Sequence, residues 1–390
     1  MLRLAALLGF WLAICAAPAL AQTPRINPQP TCLEAPGEVC RTGRQFALAE
    51  VEGRLKAADL AWWIEDDTLN VVARRSGDYA LLCCAVQTPM DRVEGGVDLW
   101  TMSVRIPDLL SAQLTINVLP SSQPMALWRG PQAAKPANRT AVPEDWFREI
   151  TIPSKAMSEP RKLTVYAPPS PPPGWRYPVI YAADGESVQA WAGIVHALVQ
   201  AGDIPQVILV GLRPGPADTV RGAGPGILFR HHEYLIGFEG GDARFTAHER
   251  FLLEEVAPLA EREFAAATDP RERAVAGYSN GGAWALQMAA RHPGVFGKVI
   301  SLSPGGASGT RRLEGALFGD VFLGGGRLEQ TFAANARTAA DVVAPGAGRL
   351  WLEIRNAGHS HDLWDDLFAE AAVWMFGDAA PSATSEAPAQ

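Results

Sequence analysis

Ser279 lies in the run Arg273-Ala274-Val275-Ala276-Gly277-Tyr278-Ser279-Asn280-Gly281-Gly282-Ala283-Trp284-Ala285-Leu286. A short apolar stretch is followed at once by Gly-x-Ser-x-Gly and then by an alanine-rich stretch with helical spacing, which predicts strand, sharp turn and helix. Such a turn lifts the serine hydroxyl clear of the strand end, and its flanking glycines are needed because a Cβ there would meet the neighbouring strand or helix. The chemistry this suits is attack of a hydroxyl on a carbonyl carbon with a covalent intermediate. The N–H of Asn280 opens the helix, where the helix dipole favours a developing oxyanion. In a chain with 37 glycines the pentapeptide can arise by chance; its place between strand and helix is what favours function.

A serine hydroxyl needs a base, and an imidazole, with an ordinary pKa of about 6.5, can take and return its proton near neutral pH. The chain has seven histidines. Two of them, His359 and His361, occupy the loop Ile354-Arg355-Asn356-Ala357-Gly358-His359-Ser360-His361-Asp362. His359 follows a glycine at a strand exit, whereas His361 stands where the next helix begins, a place suited to capping. The group that orients the imidazole should follow a strand between the turn and the histidine. Glu329, after Val321-Phe322-Leu323-Gly324-Gly325-Gly326, meets that requirement, with Asp320 and Asp341 as rivals. A second oxyanion donor is expected from the loop Asp184-Gly185-Glu186-Ser187, through the N–H groups of Gly185 or Glu186. Between Gly211 and Thr246 runs a long stretch without clear periodicity, of a kind that commonly shapes a binding site. In it, Arg230 and Tyr234 could grip an anionic or aromatic substrate, unless Arg230 is merely paired with Glu233.

The surrounding sequence supplies elements to carry these residues. From residue 161 to 377 apolar strands alternate with amphipathic helices, which predicts an α/β domain built on a doubly wound, mostly parallel sheet. Residues 45–120 read as short strands separated by turn residues, a small all-β sandwich. Trp62, Trp63 and Trp100 either fill its core or form a carbohydrate platform; core is the reading preferred. Residues 22–44 read as an extended lead-in, 121–160 as a proline-rich linker and 378–390 as a disordered tail.

Residues 1–21 have a basic start, an apolar middle and a small-x-small exit at Ala19-Leu20-Ala21, the pattern of a secretory signal peptide cleaved after Ala21. Cys15 is preceded by Ile14, where a lipoprotein signal wants a small residue. Export to a periplasm, with no stable membrane insertion after signal removal, is therefore expected. An oxidising compartment makes disulfides the default for Cys32, Cys40, Cys83 and Cys84. Neighbours on one strand face opposite sides, so Cys83 and Cys84 are expected to bond Cys32 and Cys40 rather than each other. A formal charge of −8 argues against nucleic acid as a partner. The cysteine spacing shows no zinc pattern, and neither metal nor organic cofactor is implied. The sequence leaves oligomeric state open.

Taken together, four segments resemble the esterase D type of esterase, and within it the enterochelin esterase group. Tyr177-Pro178-Val179-Ile180-Tyr181-Ala182-Ala183-Asp184-Gly185-Glu186 is similar to that family's strand and oxyanion loop. Arg230-His231-His232-Glu233-Tyr234 is similar to its Arg-x-x-Glu-Tyr segment, Gly277-Tyr278-Ser279-Asn280-Gly281-Gly282 to its turn, and Gly358-His359 with Trp364 to its histidine loop. The resemblance covers about residues 161–376 and implies an alpha/beta-hydrolase fold with Ser279, His359 and Glu329 as its triad. More faintly, Pro89-Met90 through Ile106-Pro107 resembles the immunoglobulin-like domain that precedes the catalytic domain in that group. A small-molecule ester is then the expected substrate, a catecholate siderophore ester first and a feruloyl or acetyl carbohydrate ester second, with acyl transfer to a sugar as a variant. A non-catalytic binding protein on the same scaffold is the reading from another class.

Overall fold

Residues 179–183 alternate between two apolar clusters: Val179, Tyr181 and Ala183 enter one, Ile180 and Ala182 the other. A strand buried on both faces belongs inside a layered sheet, and this one lies near the middle of eight. They are β1 (Phe147–Pro153), β2 (Pro160–Tyr166), β3 (Val179–Ala183), β4 (Ile208–Leu212), β5 (Arg273–Tyr278), β6 (Lys298–Leu302), β7 (Phe318–Gly326) and β8 (Ala347–Arg355). Their order is β1-β2-β4-β3-β5-β6-β7-β8. β2 runs antiparallel to β1 and β4, and the remaining pairs are parallel. The computed structural model describes residues 28–120, 124–169, 173–215, 229–238, 241–306 and 310–377; the expected signal peptide and tail lie outside them.

Helices cover both faces. On one face lie α1 (Val188–Ala201), through Trp191, Ile194 and Val195, and α7 (His361–Phe376), through Leu363, Leu367 and Phe368. The other face is covered by α3 (Ala243–Arg250), α4 (Ala257–Glu263), α5 (Asn280–Arg291) and α6 (Gln330–Val343). A short α2 (Phe229–Tyr234) precedes α3, and the π-helical turn Phe251–Val256 joins α3 to α4. Each large apolar side chain fully buried here contributes roughly 2 kcal/mol, so the sheet is a stiff support for whatever its strand ends carry.

The all-β region is a sandwich of two sheets. One orders Cys40–Arg41, Leu99–Arg105, Thr68–Arg74 and Leu60–Glu65, with Asp91–Arg92 also pairing the second of these; the other orders Thr88–Pro89, Leu81–Cys83, Gln113–Leu119 and Ala126–Arg129. Leu69, Val71 and Met102 from the first meet Leu82, Leu114, Ile116 and Val118 from the second. Trp100 is buried in this core with its indole N–H on the Arg75 carbonyl, and Trp62 packs against it from the side. Trp63 packs edge-on to Phe46 beside Arg54. All three tryptophans therefore serve packing.

Two expectations are corrected. The stretch 121–160 is not a plain linker: Ala126–Arg129 completes the sandwich, and Phe147–Pro153 is the first strand of the large sheet. Prolines bounding both strands hide this in the sequence. The cysteines also pair otherwise than expected, Cys32 with Cys40 and Cys83 with Cys84. The strand Leu81–Cys83 stops at Cys83, so the alternation that keeps neighbouring side chains apart no longer governs Cys84. Among the described residues no helix is long and apolar enough to cross a membrane.

Candidate active site

The turn after β5 is built as its glycines require. A Cβ on Gly277 would overlap the backbone of Gly281, and one on Gly281 would stand 2.9 Å from the Ala183 Cβ. Ser279 is held at φ 54°, ψ −126°, a conformation unusual for a residue with a side chain. Its N–H donates to the Leu302 carbonyl of β6, and its carbonyl accepts from Gly305, both at 2.8 Å. Asn280 is the first residue of α5, so its N–H has no acceptor within the helix.

His359 comes from the loop after β8. Its Nε2 lies 3.2 Å from the Ser279 Oγ, and its Nδ1 lies 2.5 Å from Oε2 of Glu329. Glu329 is fully buried after β7 and holds the N-cap position of α6, yet its carboxylate turns to His359 instead of the helix. The other oxygen, Oε1, accepts from the Gly326 N–H and from the Ser303 hydroxyl, the latter at 2.6 Å. Ser303 in turn accepts the indole N–H of Trp364 at 2.9 Å. Phe332 stacks on the His359 ring at 4.0 Å, and Trp364 meets it edge-on at 4.8 Å. The Glu329 carboxylate facing Nδ1 favours one imidazole tautomer, with Nδ1–H toward Glu329 and Nε2 free to accept from serine.

The rivals are engaged elsewhere. Asp320 bonds Lys298 and Arg349 at the opposite end of β7; burial would raise its pKa, but those bonds outweigh it and hold the carboxyl below its ordinary value. Asp341 is an exposed residue of α6. His361 begins α7 and lies edge-on to Tyr278 and Trp364.

Gly185 and Glu186 begin a 3-10 turn at the end of β3, which pairs with β5 through Ala182 and Ala276. Their loop thus adjoins the Ser279 turn, and Asp184 Oδ2 lies 3.0 Å from where a Cβ on Gly281 would stand. Arg230 and Tyr234 are both engaged within the protein. Arg230 makes two bonds of 2.5 Å to Asp184 and one of 3.3 Å to the Tyr278 carbonyl. Burial would lower the Arg230 pKa, but the bonds and charge of Asp184 outweigh it and hold it above the ordinary arginine value. Tyr234 is fully buried, and its hydroxyl accepts the Asp184 N–H at 2.9 Å. Glu233 pairs with Arg161 and Arg244 rather than with Arg230. Arg230 and Tyr234 therefore brace the Asp184 loop, because a buried carboxylate must be matched by donors, while Glu233 ties the same segment to Arg161 and Arg244.

Sequence reasoning missed Ser303 and Asp184 as supports. A polar residue just past the last apolar position of a central strand was the available signal for both. Tyr278, whose hydroxyl lies 2.8 Å from the Ser187 Oγ and whose ring stacks on Trp364 at 4.1 Å, links the Asp184 loop to the histidine side. Burial raises its phenol pKa, so it stays protonated. Among the described residues no group of three metal-ligating side chains occurs.

Residues 154–380 match the model of the family Esterase, described as "Putative esterase". Among curated proteins, the uncharacterized YjcH of Bacillus subtilis (strain 168) is 28% identical over 172 residues, 43% of this chain and 63% of its own length. The uncharacterized YbbA of the same organism is 24% identical over 145 residues, 37% of this chain and 56% of its own. The chain thus spans less than two thirds of the length of these relatives. Among solved structures, the enterobactin esterase FES of Shigella flexneri with enterobactin superposes with TM-score 0.58 at 15% identity, covering 81% of this chain and 95% of that one. Ferric enterobactin esterase of Salmonella typhimurium gives TM-score 0.59 at 13% identity, covering 81% and 96%. At such identities the likeness is one of fold, and that fold is the α/β hydrolase with an all-β region ahead of it. With the family model spanning more than half of its length, the chain belongs to the esterase family.

Proposed function

We propose that this protein is a serine ester hydrolase that works through an acyl-enzyme. The observation that carries the reading is the continuous relay Ser279 Oγ, His359, Glu329, with contacts of 3.2 and 2.5 Å. His359 Nε2 takes the Ser279 proton as Oγ attacks the ester carbonyl. The oxyanion forms against the N–H of Asn280 and those of Gly185 or Glu186. His359 then protonates the departing alcohol, and water repeats the cycle to release the acid. Glu329 orients the ring and stabilises the imidazolium. Hydrolysis of p-nitrophenyl acetate and butyrate tests this: the protein should turn both over and Ser279→Ala should not. Equal rates in the two, or none in either, would instead favour a binding protein on this scaffold.

Likeness across both the all-β region and the hydrolase domain to an enterobactin esterase supports a catecholate siderophore ester as the first natural substrate to assay. We propose further that the chain is exported. The leader-like start and the pairs Cys32–Cys40 and Cys83–Cys84 fit an oxidising compartment. Fractionation with amino-terminal sequencing should recover a periplasmic form beginning at Gln22; a cytoplasmic form beginning at Met1 would contradict it.

A further inference from the structure

Glu329 and His359 each stand one residue from a segment clamped by the sandwich. Leu328, next to Glu329, is fully buried among the sandwich's own core residues. Its N–H donates to the Ala357 carbonyl at 3.1 Å. Ala357 in turn bridges Gln113 of the sandwich, whose N–H donates to the Asn356 carbonyl at 2.9 Å. The Asn356 side chain reaches the Asp108 carbonyl at 2.9 Å and the Ser111 hydroxyl at 3.1 Å. Finally Gly358, next to His359, lies so close to the carbonyl oxygens of Cys84 and Ala85 that a Cβ would overlap both. Cys84 is itself tied to the sandwich by its N–H on the Thr115 carbonyl at 3.1 Å, and to Cys83 by a disulfide.

We propose that the Cys83–Cys84 turn is a positioning element for His359: it is the surface on which Gly358 rests, so opening the disulfide lets the imidazole drift from Ser279. The inference rests on the esterase reading only for its kinetic readout. A turn whose two side chains are joined to each other has few conformations, and its carbonyls form a hard stop. Two-electron reduction by a dithiol gives two cysteine thiols and leaves the reagent as its cyclic disulfide. The freed turn then relaxes where it touches Gly358. Displacement of a catalytic group by about 1 Å costs on the order of 100-fold in rate, and a loosened stop should cost less.

The test compares the whole protein before and after dithiothreitol with three variants, Cys83→Ser/Cys84→Ser, Cys32→Ser/Cys40→Ser and Gly358→Ala. Readouts are kcat and KM on p-nitrophenyl butyrate and the His359 ring resonance in ¹³C-histidine protein, assigned with His359→Gln. Expected is a fall in kcat of about tenfold on reduction, reversed by reoxidation, with KM within about twofold and the His359 resonance shifted or broadened. Cys32→Ser/Cys40→Ser should respond as the parent does. Cys83→Ser/Cys84→Ser should start low and not respond, and Gly358→Ala should lose about 100-fold. Parent-like kcat with an unmoved His359 resonance in Cys83→Ser/Cys84→Ser overturns the proposal. If that variant does not fold, an unchanged kcat and an unmoved resonance in the reduced parent overturn it equally. If the parent hydrolyses no ester, the esterase reading falls, and the His359 resonance alone still decides whether the turn holds the ring.

Discussion

Ser279 and Asn280 are delivered by one strand and the helix that follows it, β5 and α5. Glu329 and His359 instead come from two separate loops, and both loops lean on residues of the sandwich. The nucleophile half is thus a local structure that β5 and α5 dictate between them, while the acid-base half depends on how two domains dock. A local turn tolerates remote change; a docked loop transmits it. Mutations far from the chemistry should therefore act on proton transfer more than on the placement of the serine.

The largest effect that sharpens this comparison is Ser279→Ala, expected to lower kcat by about 10⁵-fold or more with no change in thermal midpoint beyond about 2 °C. Next is Glu329→Gln, which keeps the shape of the site but offers His359 the wrong partner and should cost about 10⁴-fold. Its companions Asp320→Asn and Asp341→Asn should stay within about twofold, since neither meets the imidazole. An equal loss in Asp341→Asn would break the assignment. Ser303→Ala leaves Glu329 one donor short and the Trp364 N–H unpaired, a loss of about tenfold in kcat at unchanged KM; a change confined to KM would place Ser303 with substrate instead.

The smallest expected effect lies behind the nucleophile half. His248 is fully buried beside Trp284 of α5, and burial pushes its pKa down to about 4. The groups facing it are Glu233, which favours its charge, and Arg161 and Arg244, which oppose it. Its folded pKa is below the ordinary 6.5, so the unfolded chain binds the proton more readily. The stability this neutral histidine contributes is complete above about pH 6.5 and is lost as pH falls toward 4, a change of about 3 kcal/mol at most. Urea unfolding at pH 7 and 4.5 should show a smaller acid loss in His248→Phe than in the parent.

What the sequence revealed follows the same division. The strand, turn and helix around Ser279 were legible because propensity, periodicity and glycine placement all act within one short segment. His359 and Glu329 were legible as candidates by chain order, but their contact depends on β7 and β8 lying side by side, which is a long-range fact. The bonds of Arg230 and Tyr234 to Asp184 were not legible, because polar residues in an irregular stretch look the same whether they face a ligand or brace a buried carboxylate. The cysteine pairing was misread because strand alternation was extended one residue past the end of the strand. Strands Ala126–Arg129 and Phe147–Pro153 were hidden by flanking prolines, their pairing set by partners distant in sequence.

The central claim is that one hydroxyl, activated by one imidazole, does the chemistry. Labelling the folded protein with a fluorophosphonate and mapping the adduct by mass spectrometry addresses it directly. The account predicts a single adduct per chain on Ser279, absent in Ser279→Ala and slowed by at least about 100-fold in His359→Gln. An adduct on another residue, or undiminished labelling of Ser279 in His359→Gln, would contradict it.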